Sequence, residues 1–364
     1  MKIIISGGCT GGHIFPAISI ANQIKEKYPE SSILFIGAEG RMEMQRVPNA
    51  GYEIIGLPIT GFNRQKLWKN IPIAFKLIRS LIKARKVIKK FKPDVAVGVG
   101  GFASGPTLKV ASRLGIPTLI QEQNSYAGVT NKLLAKKADK ICVAYQGMER
   151  FFPAEKIILT GNPVRQELLQ HTYEKEDVAS DFKLVSDKPI VLILGGSLGA
   201  QSINNAILAN YDRMSSSNIQ YIWQTGALYI DRIKEAIKNR PSSNIFVTDF
   251  ISDMSKAYST ADIIISRAGA GSISEFCLLQ KAVILVPSPN VAEDHQTKNA
   301  MALVNKSAAI LVEDKHVQEQ LIDVVEENIF NTERLNQLKL NIKELGFPNS
   351  AETIANEVIK LANK

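Results

Sequence analysis

The 364-residue sequence is poor in cysteine, histidine and tryptophan, with three, four and two respectively. Cys9, Cys142 and Cys277 are too few and too scattered for a disulfide framework or a paired-cysteine metal knuckle, which suits a reducing compartment. No run approaches the roughly 18–20 uncharged apolar residues needed to cross a bilayer. Met1-Lys2 leads straight into a short apolar stretch and a glycine loop, unlike a secretory leader, so a cytoplasmic location is expected. There is no Asp-x-Asp pair, no Gly-Lys-[Ser/Thr] phosphate loop and no His/Cys/Asp group at ligand spacing, so neither a fixed metal nor a cofactor is expected. The remaining balance, 45% apolar, 22% charged and 7% aromatic, excludes collagen-like, low-complexity and wholly disordered chains. At this length two domains are expected.

Acidic residues are missing from one segment altogether. Arg64 to Lys92 holds eleven Lys/Arg and no Asp or Glu. More broadly, residues 1–160 carry 24 basic and 10 acidic side chains (net +14), and residues 161–364 carry 20 and 25 (net −5). The first half therefore suits an anionic partner, which charge alone leaves open as nucleic acid, an acidic membrane or a phosphorylated substrate. At helical spacing Ile71, Ala74, Phe75, Ile78, Leu81, Ile82, Ile88 and Phe91 form one apolar stripe. Lys76, Arg79, Lys83, Lys86 and Lys90 run beside it, because one residue is roughly 100° of helix rotation. Such a helix can rest on an anionic membrane, and Trp68 just before it suits the interface. The plainer alternative is a surface helix packed on a sheet with solvated lysines; it leaves the missing acids unexplained.

Short apolar runs alternate with helical patterns along the chain. Lys2–Ser6, Ser32–Gly37, Val95–Val99, Thr118–Gln121 and Lys140–Val143 read as buried parallel strands in the first half. Ile190–Leu194, Ile219–Thr225, Ile245–Thr248, Ile263–Ser266 and Ala282–Val286 do so in the second. The halves also open alike: Lys2-Ile-Ile-Ile-Ser-Gly-Gly-Cys-Thr-Gly-Gly-His13 is echoed by Ile190-Val-Leu-Ile-Leu-Gly-Gly-Ser-Leu-Gly-Ala200. This weak repeat predicts two facing Rossmann-like, doubly wound α/β domains. Their junction falls near Thr160-Gly-Asn-Pro-Val-Arg165, and the charged stretch Glu174 to Lys188 reads as a surface loop. The domains are expected at 1–161 and 162–345. A last helix lies within 346–364; its pattern lets it pack on either domain, and it is assigned to the first.

A strand, glycine loop and helix can bind phosphate, because backbone N–H groups approach the anion and the helix N-terminus adds about half a positive charge. Taken singly, such loops often serve only tight packing. Neither loop satisfies the dinucleotide pattern: Cys9 and Ser197 interrupt its middle glycine, although Glu39 stands where a ribose-binding acid would sit. Two further clusters, Gly98-Val-Gly-Gly-Phe-Ala-Ser-Gly-Pro106 and Ser266-Arg-Ala-Gly-Ala-Gly-Ser-Ile-Ser-Glu275, also sit at strand ends. Four such ends favour a diphosphate or nucleotide ligand. His13 follows the first loop, where a general base would face a bound hydroxyl. Glu122 and Asn124 end another strand and are polar enough for a sugar, or satisfy loop backbone. His295 and Gln296 follow the last strand, while His171 and His316 read as surface residues.

Taken together and in order, Gly7-Gly-Cys-Thr-Gly-Gly-His13, Gly100-Gly-Phe-Ala-Ser-Gly-Pro106, Glu122-Gln-Asn124, Gly161-Asn-Pro-Val-Arg165, Gly195-Gly-Ser-Leu-Gly-Ala200, Arg267-Ala-Gly-Ala-Gly-Ser-Ile-Ser-Glu275 and Asp294-His-Gln296 resemble the motifs of the MurG family of N-acetylglucosaminyltransferases. The resemblance covers nearly the whole chain. It implies the GT-B fold with an interdomain cleft, UDP-N-acetylglucosamine as donor and the lipid-linked precursor lipid I as acceptor. Transfer would proceed with inversion to a β1,4 linkage, without a metal, giving lipid II for peptidoglycan. Carried over by position, it implies donor contacts at Thr10, Gly11, Gly12, Asn124, Arg165, Ser197, Ile251, Ala270, Gly271, Ser272, Ile273, Ser274, Glu275 and Gln296. Glu275 would hold the ribose, Ile251 would face the uracil, and Ser197 with its loop would hold the diphosphate. His13 is the implied base, with Glu122 its rival. The family's first loop usually has glycine where Cys9 stands, and tyrosine is common where Phe102 stands.

The basic-apolar helix then fits a peripheral enzyme on the anionic cytoplasmic face of the plasma membrane, touching it through Trp68, Phe75, Lys76, Ile78, Arg79 and Lys83, with no nucleic-acid partner. The competing expectations are an epimerase of the same fold acting on the nucleotide sugar alone, and a non-catalytic protein binding anionic membrane or nucleic acid through residues 64–92.

Overall fold

The computed structural model describes the chain except for Cys9, residues 62–70, 166–167 and 169–172, and Ser197. The expectations placed on Cys9, Trp68, His171 and Ser197 lie outside the described residues. The chain forms two units, Met1–Val164 with Phe347–Lys364, and Arg165–Gly346.

The first unit is built on seven strands: β1 (Lys2–Ser6), β2 (Ser32–Ala38), β3 (Glu53–Leu57), β4 (Val95–Gly98), β5 (Thr118–Glu122), β6 (Lys140–Val143) and β7 (Ile157–Leu159). They pair in parallel in the order β3-β2-β1-β4-β5-β6-β7. Parallel strands need crossover helices that cover both sheet faces, which is why β1 is apolar at consecutive positions. Ile3 and Ile5 point to one face, beneath the helix Gly11–Lys27 and the C-terminal helix Ser350–Ala362, whose Ile354, Ala355, Val358 and Leu361 are buried there. Ile4 points to the other, beneath Ala84 and Ile88 of the helix Ile71–Phe91 and Val110 and Ala111 of the helix Ser104–Arg113.

The second unit repeats the scheme with β8 (Ile190–Leu194), β9 (Gln220–Gln224), β10 (Ile245–Thr248), β11 (Ile263–Ser266), β12 (Ala282–Leu285) and β13 (Ile310–Leu311). Its order, again parallel, is β10-β9-β8-β11-β12-β13. In both sheets the winding reverses beside the first strand of the unit, between β1 and β4 and between β8 and β11. Ligands of doubly wound sheets bind at the strand ends there. The glycine loops after β1, β4, β8 and β11 therefore all stand at switch points.

Strands β3, β7 and β13 were not among the expected ones. All three are sheet edges, only partly buried and two to five residues long; Ile157–Leu159 and Ile310–Leu311 are apolar throughout, but runs so short do not distinguish a strand from a piece of buried helix. The stretch Glu174 to Lys188 is not a simple surface loop either. It contains the helical turns Lys175–Val178 and Ala179–Phe182 and buries Val178, Ala179, Phe182 and Leu184.

The helix Ile71–Phe91 corrects the single-stripe reading. Its buried line is Ser80, Ala84 and Ile88, with Leu81, Val87 and Phe91 partly buried. Phe75 and Ile82 stand 67% and 65% exposed on the opposite side, with Ile78 beside them. The apolar residues thus fall on two faces, and at 100° per residue Arg79, Lys86 and Lys89 share the outward arc with the second set. Among the described residues no helix is long and apolar enough to cross a membrane.

Candidate active site

In the first unit the loops after β1 and β4 lie backbone against backbone. A Cβ on Gly101 (φ +81°) would stand 2.6 Å from the Gly8 carbonyl oxygen, and one on Gly100 2.9 Å from the His13 ring. Only glycine permits both the left-handed backbone and that approach. Gly8 is likewise enclosed by the buried carboxylate of Glu43, which accepts from the Ala38 N–H at 2.9 Å. His13 lies in the first turn of the helix Gly11–Lys27, whose first turn holds no acid to offset the positive end of the dipole. Thr10 caps that helix with its carbonyl, which accepts from the His13 and Ile14 N–H groups; its hydroxyl is 3.2 Å from His13 Nδ1. The same Nδ1 is 3.0 Å from the Gly8 carbonyl oxygen. A carbonyl only accepts, so in the neutral imidazole Nδ1 carries the hydrogen and Nε2 is the basic nitrogen.

Glu122 ends β5 almost fully buried and is committed to its own loop. Oε1 accepts from the backbone and side-chain nitrogens of Asn124 (3.1 and 3.3 Å), and Oε2 from Gly128 N–H and Asn131 Nδ2, both at 2.9 Å. Beside it a buried amide chain runs from Asn162 to Gln121 and Gln123, and Gln123 donates to the Val99 carbonyl at 2.8 Å, tying the β5 end to the β4 loop.

In the second unit the loop after β8 is again backbone-packed. Gly199 (φ +84°) has no room for a Cβ, which would sit 2.2 Å from the Thr225 carbonyl oxygen. After β11 the helix Ala270–Leu278 begins without an acid in its first turn, leaving a positive end beside half-exposed Gly271 and Ser272. Ala270 and Ile273 turn inward, and Ser274 donates its hydroxyl to the Ala270 carbonyl at 3.0 Å. Glu275 is gripped by Arg165, whose Nε and Nη2 reach its two oxygens at 3.0 and 3.2 Å, and by Tyr258 OH, which donates to Oε2 at 2.8 Å. Burial, with the Glu275 charge beside it, holds the Tyr258 phenol well above its usual range, so it stays a donor. Tyr258 was missed from sequence; seventeen residues separate it from Glu275, and no spacing rule links two helices across a strand.

Ile251 is buried just after β10. Gln296 accepts from the Ser288 N–H at 2.8 Å, beside Glu293 and Asp294, two non-glycine residues at φ +58° and +49°. Arg267, inside its glycine motif, is a brace: it donates to the carbonyls of Val286 (3.0 Å) and Pro287 (3.4 Å), to Ser202 Oγ and to Asp314, joining four segments at the sheet edge. Among the described residues no His/Cys/Asp/Glu group is arranged to hold a metal ion.

Residues 3–143 match the glycosyltransferase family 28 N-terminal domain and residues 190–354 the glycosyltransferase family 28 C-terminal domain. The chain belongs to glycosyltransferase family 28. It is 63% identical over 366 residues to the UDP-N-acetylglucosamine–N-acetylmuramyl-(pentapeptide) pyrophosphoryl-undecaprenol N-acetylglucosamine transferase of Bacteroides fragilis, covering 100% of this chain and 96% of the relative. It is 51% identical over 360 residues to the transferase of the same name from Flavobacterium psychrophilum, covering 99% and 97%. The crystal structure of Acinetobacter baumannii MurG superposes with a TM-score of 0.80 at 28% identity over 99% of each chain. UDP-GlcNAc 2-epimerase from Neisseria meningitidis shares the fold alone, with a TM-score of 0.67 at 16% identity over 99% of this chain and 100% of its own. The motif resemblance to MurG proteins is borne out, as is the GT-B class with two Rossmann-like units. The protein is a glycosyltransferase.

Proposed function

We propose that the chain transfers N-acetylglucosamine from UDP-N-acetylglucosamine to undecaprenyl-diphospho-muramoylpentapeptide (lipid I), with inversion at the anomeric carbon. The observation that carries this reading is the full-length 63% match to a transferase of that name. The geometry supplies parts for the chemistry. His13 Nε2 takes the proton of the acceptor hydroxyl as its oxygen bonds to the anomeric carbon; the bond from that carbon to the diphosphate oxygen breaks, and UDP leaves with the electron pair. Hydrogen-bonding of Nδ1 to the Gly8 carbonyl fixes the tautomer this needs. Glu122, with four donors on its carboxylate, organises the β5 loop and leaves the base role to His13. The helix N-termini at the switch points favour the charge that grows on the leaving diphosphate, and Glu275 serves the ribose.

The helix Ile71–Phe91 suits the second substrate. Phe75, Ile78 and Ile82 stand out from the surface among Arg79, Lys86 and Lys89. A cleft of about 350 Å³ lined by Glu39, Pro58, Arg79, Ile82, Lys83 and Lys86 lies beside them. Apolar side chains able to dip into acyl chains, beside cations able to meet phosphates, support a peripheral position on an anionic membrane, at its cytoplasmic face.

The test is incubation with labelled UDP-N-acetylglucosamine, with and without lipid I. Label moving into lipid only when lipid I is present supports the proposal. Turnover of the nucleotide sugar without acceptor indicates an epimerase, and salt-governed binding to vesicles or nucleic acid that ignores UDP indicates a binding protein.

A further inference from the structure

Resting on the reading that Glu275 holds the ribose, the surroundings of that carboxylate assign a role to a residue outside every glycine motif. The two groups on Glu275 differ in kind. Arg165 is a guanidinium on a flexible stem, its side chain 38% exposed, and it engages both carboxylate oxygens. Tyr258 is 3% exposed and stands edge-on against Phe276 with ring centroids 5.9 Å apart, and its hydroxyl reaches only Oε2. An arginine can leave a carboxylate for a diphosphate, which it recognises with the same fork. A tyrosine wedged between two helices has nowhere else to go. A carboxylate as enclosed as Glu275 cannot lose its arginine to a ligand unless other donors remain on it.

We propose that Tyr258 is the positioning residue of the nucleotide site: its hydroxyl pins Glu275 Oε2, so that Oε1 keeps the orientation in which it accepts from a ribose hydroxyl, while Arg165 is the exchangeable partner. Ribose recognition then depends on a residue that never touches the ligand. The consequence is selective. Without the tyrosine hydroxyl the carboxylate can rotate, which weakens nucleotides that carry the ribose hydroxyl and spares those that lack it.

The experiment compares UDP with 2′-deoxy-UDP and 3′-deoxy-UDP by calorimetry on the full chain, wild type against Tyr258→Phe, with circular dichroism and thermal melting to confirm that the variant is folded. A hydrogen bond to a charged group is worth about tenfold or more in affinity, so the wild type is expected to prefer UDP over at least one deoxy analogue by roughly that factor. In Tyr258→Phe the preference is expected to shrink several-fold, through weaker UDP binding at nearly unchanged binding of that analogue. Mere loosening of the unit weakens all three nucleotides together and leaves the ratios alone; unchanged ratios overturn the inference while the nucleotide reading stands. Wild-type protein that binds UDP and both deoxy analogues alike overturns the ribose reading and the inference with it. Should Tyr258→Phe fail to fold, Arg165→Met decides: a retained preference supports Tyr258 as the anchor, and a lost preference assigns the anchor to Arg165 and overturns the proposal.

Discussion

His13 Nδ1 and the Gly8 carbonyl oxygen lie 3.0 Å apart, so the residue proposed as base is oriented by the backbone of the loop that precedes it. Replacing His13 by Ala or Gln is expected to lower kcat by about 10²–10⁴-fold with UDP affinity unchanged. Glu122→Gln is expected to behave differently. It places an NH₂ group among four donors, so the first unit should lose stability and activity should fall in step with the folded fraction. Transfer and melting measured on the same samples separate the two, and a folded Glu122→Gln protein as inactive as His13→Ala would return the base role to Glu122.

Gly101 and Gly115 both have positive φ, +81° and +76°, yet only Gly101 faces backbone, Gly8; nothing stands within 4 Å of a Cβ at Gly115. Gly115→Ala is expected to cost about 1 kcal/mol for its left-handed backbone alone. Gly101→Ala should cost roughly 1–3 kcal/mol more, because the loops must separate, and it should slow transfer by displacing the His13 anchor. Urea midpoints of the two variants provide the check, and equal losses would contradict the close packing.

On the helix Ile71–Phe91, stability and membrane binding are expected to separate by face. Ile88 is 1% exposed, and Ile88→Ala should lose about 2–5 kcal/mol. Phe75→Ser with Ile82→Ser should stay within roughly 0.5 kcal/mol per site of the wild type. The same pair should weaken binding to anionic vesicles by about tenfold or more, since each side chain is worth roughly 1.5–3 kcal/mol when buried in an apolar phase. Vesicle co-sedimentation measures this, and full retention by the double variant would rule out the outward face as the contact.

Lys281 gives stability a dependence on alkaline pH. Burial, with repulsion from Lys339, brings its ammonium down from 10.5 to about 8, and its Nζ reaches the Ala261 carbonyl at 3.5 Å. Between those values the unfolded chain retains a proton that the folded chain has released, so this group makes stability rise with pH from about 8 to 10.5 and lowers it below 8. Lys281→Met is expected to be the more stable protein at pH 7 and to lack that rise. Denaturant melts at pH 7, 8.5 and 10 report it, and parallel curves for the two proteins would contradict it.

The central strands were legible because a parallel strand buried on both faces must be apolar at successive positions, as at Ile3, Ile4 and Ile5. The glycine loops were legible for a related reason: Gly100, Gly101 and Gly199 stand where backbone meets side chain or backbone, and no other residue fits. These are local demands, and local demands leave their mark in the order of residues. The edge strands β3, β7 and β13, partly solvated and only two to five residues long, were too short for their apolar residues to be told from helix or loop.

Tertiary structure alone decided the rest. Helical periodicity says which residues share a face, but not which face meets the sheet, so only the fold turns Ala84 and Ile88 inward and Phe75 and Ile82 outward. It also seats Ile354 and Val358 of the last helix over β1, a choice that depends on which apolar surface remains uncovered and not on the helix itself. And it brings Tyr258 and Arg165 to Glu275 from 17 and 110 residues away, because a hydrogen bond depends on distance in space, to which separation along the chain is no guide.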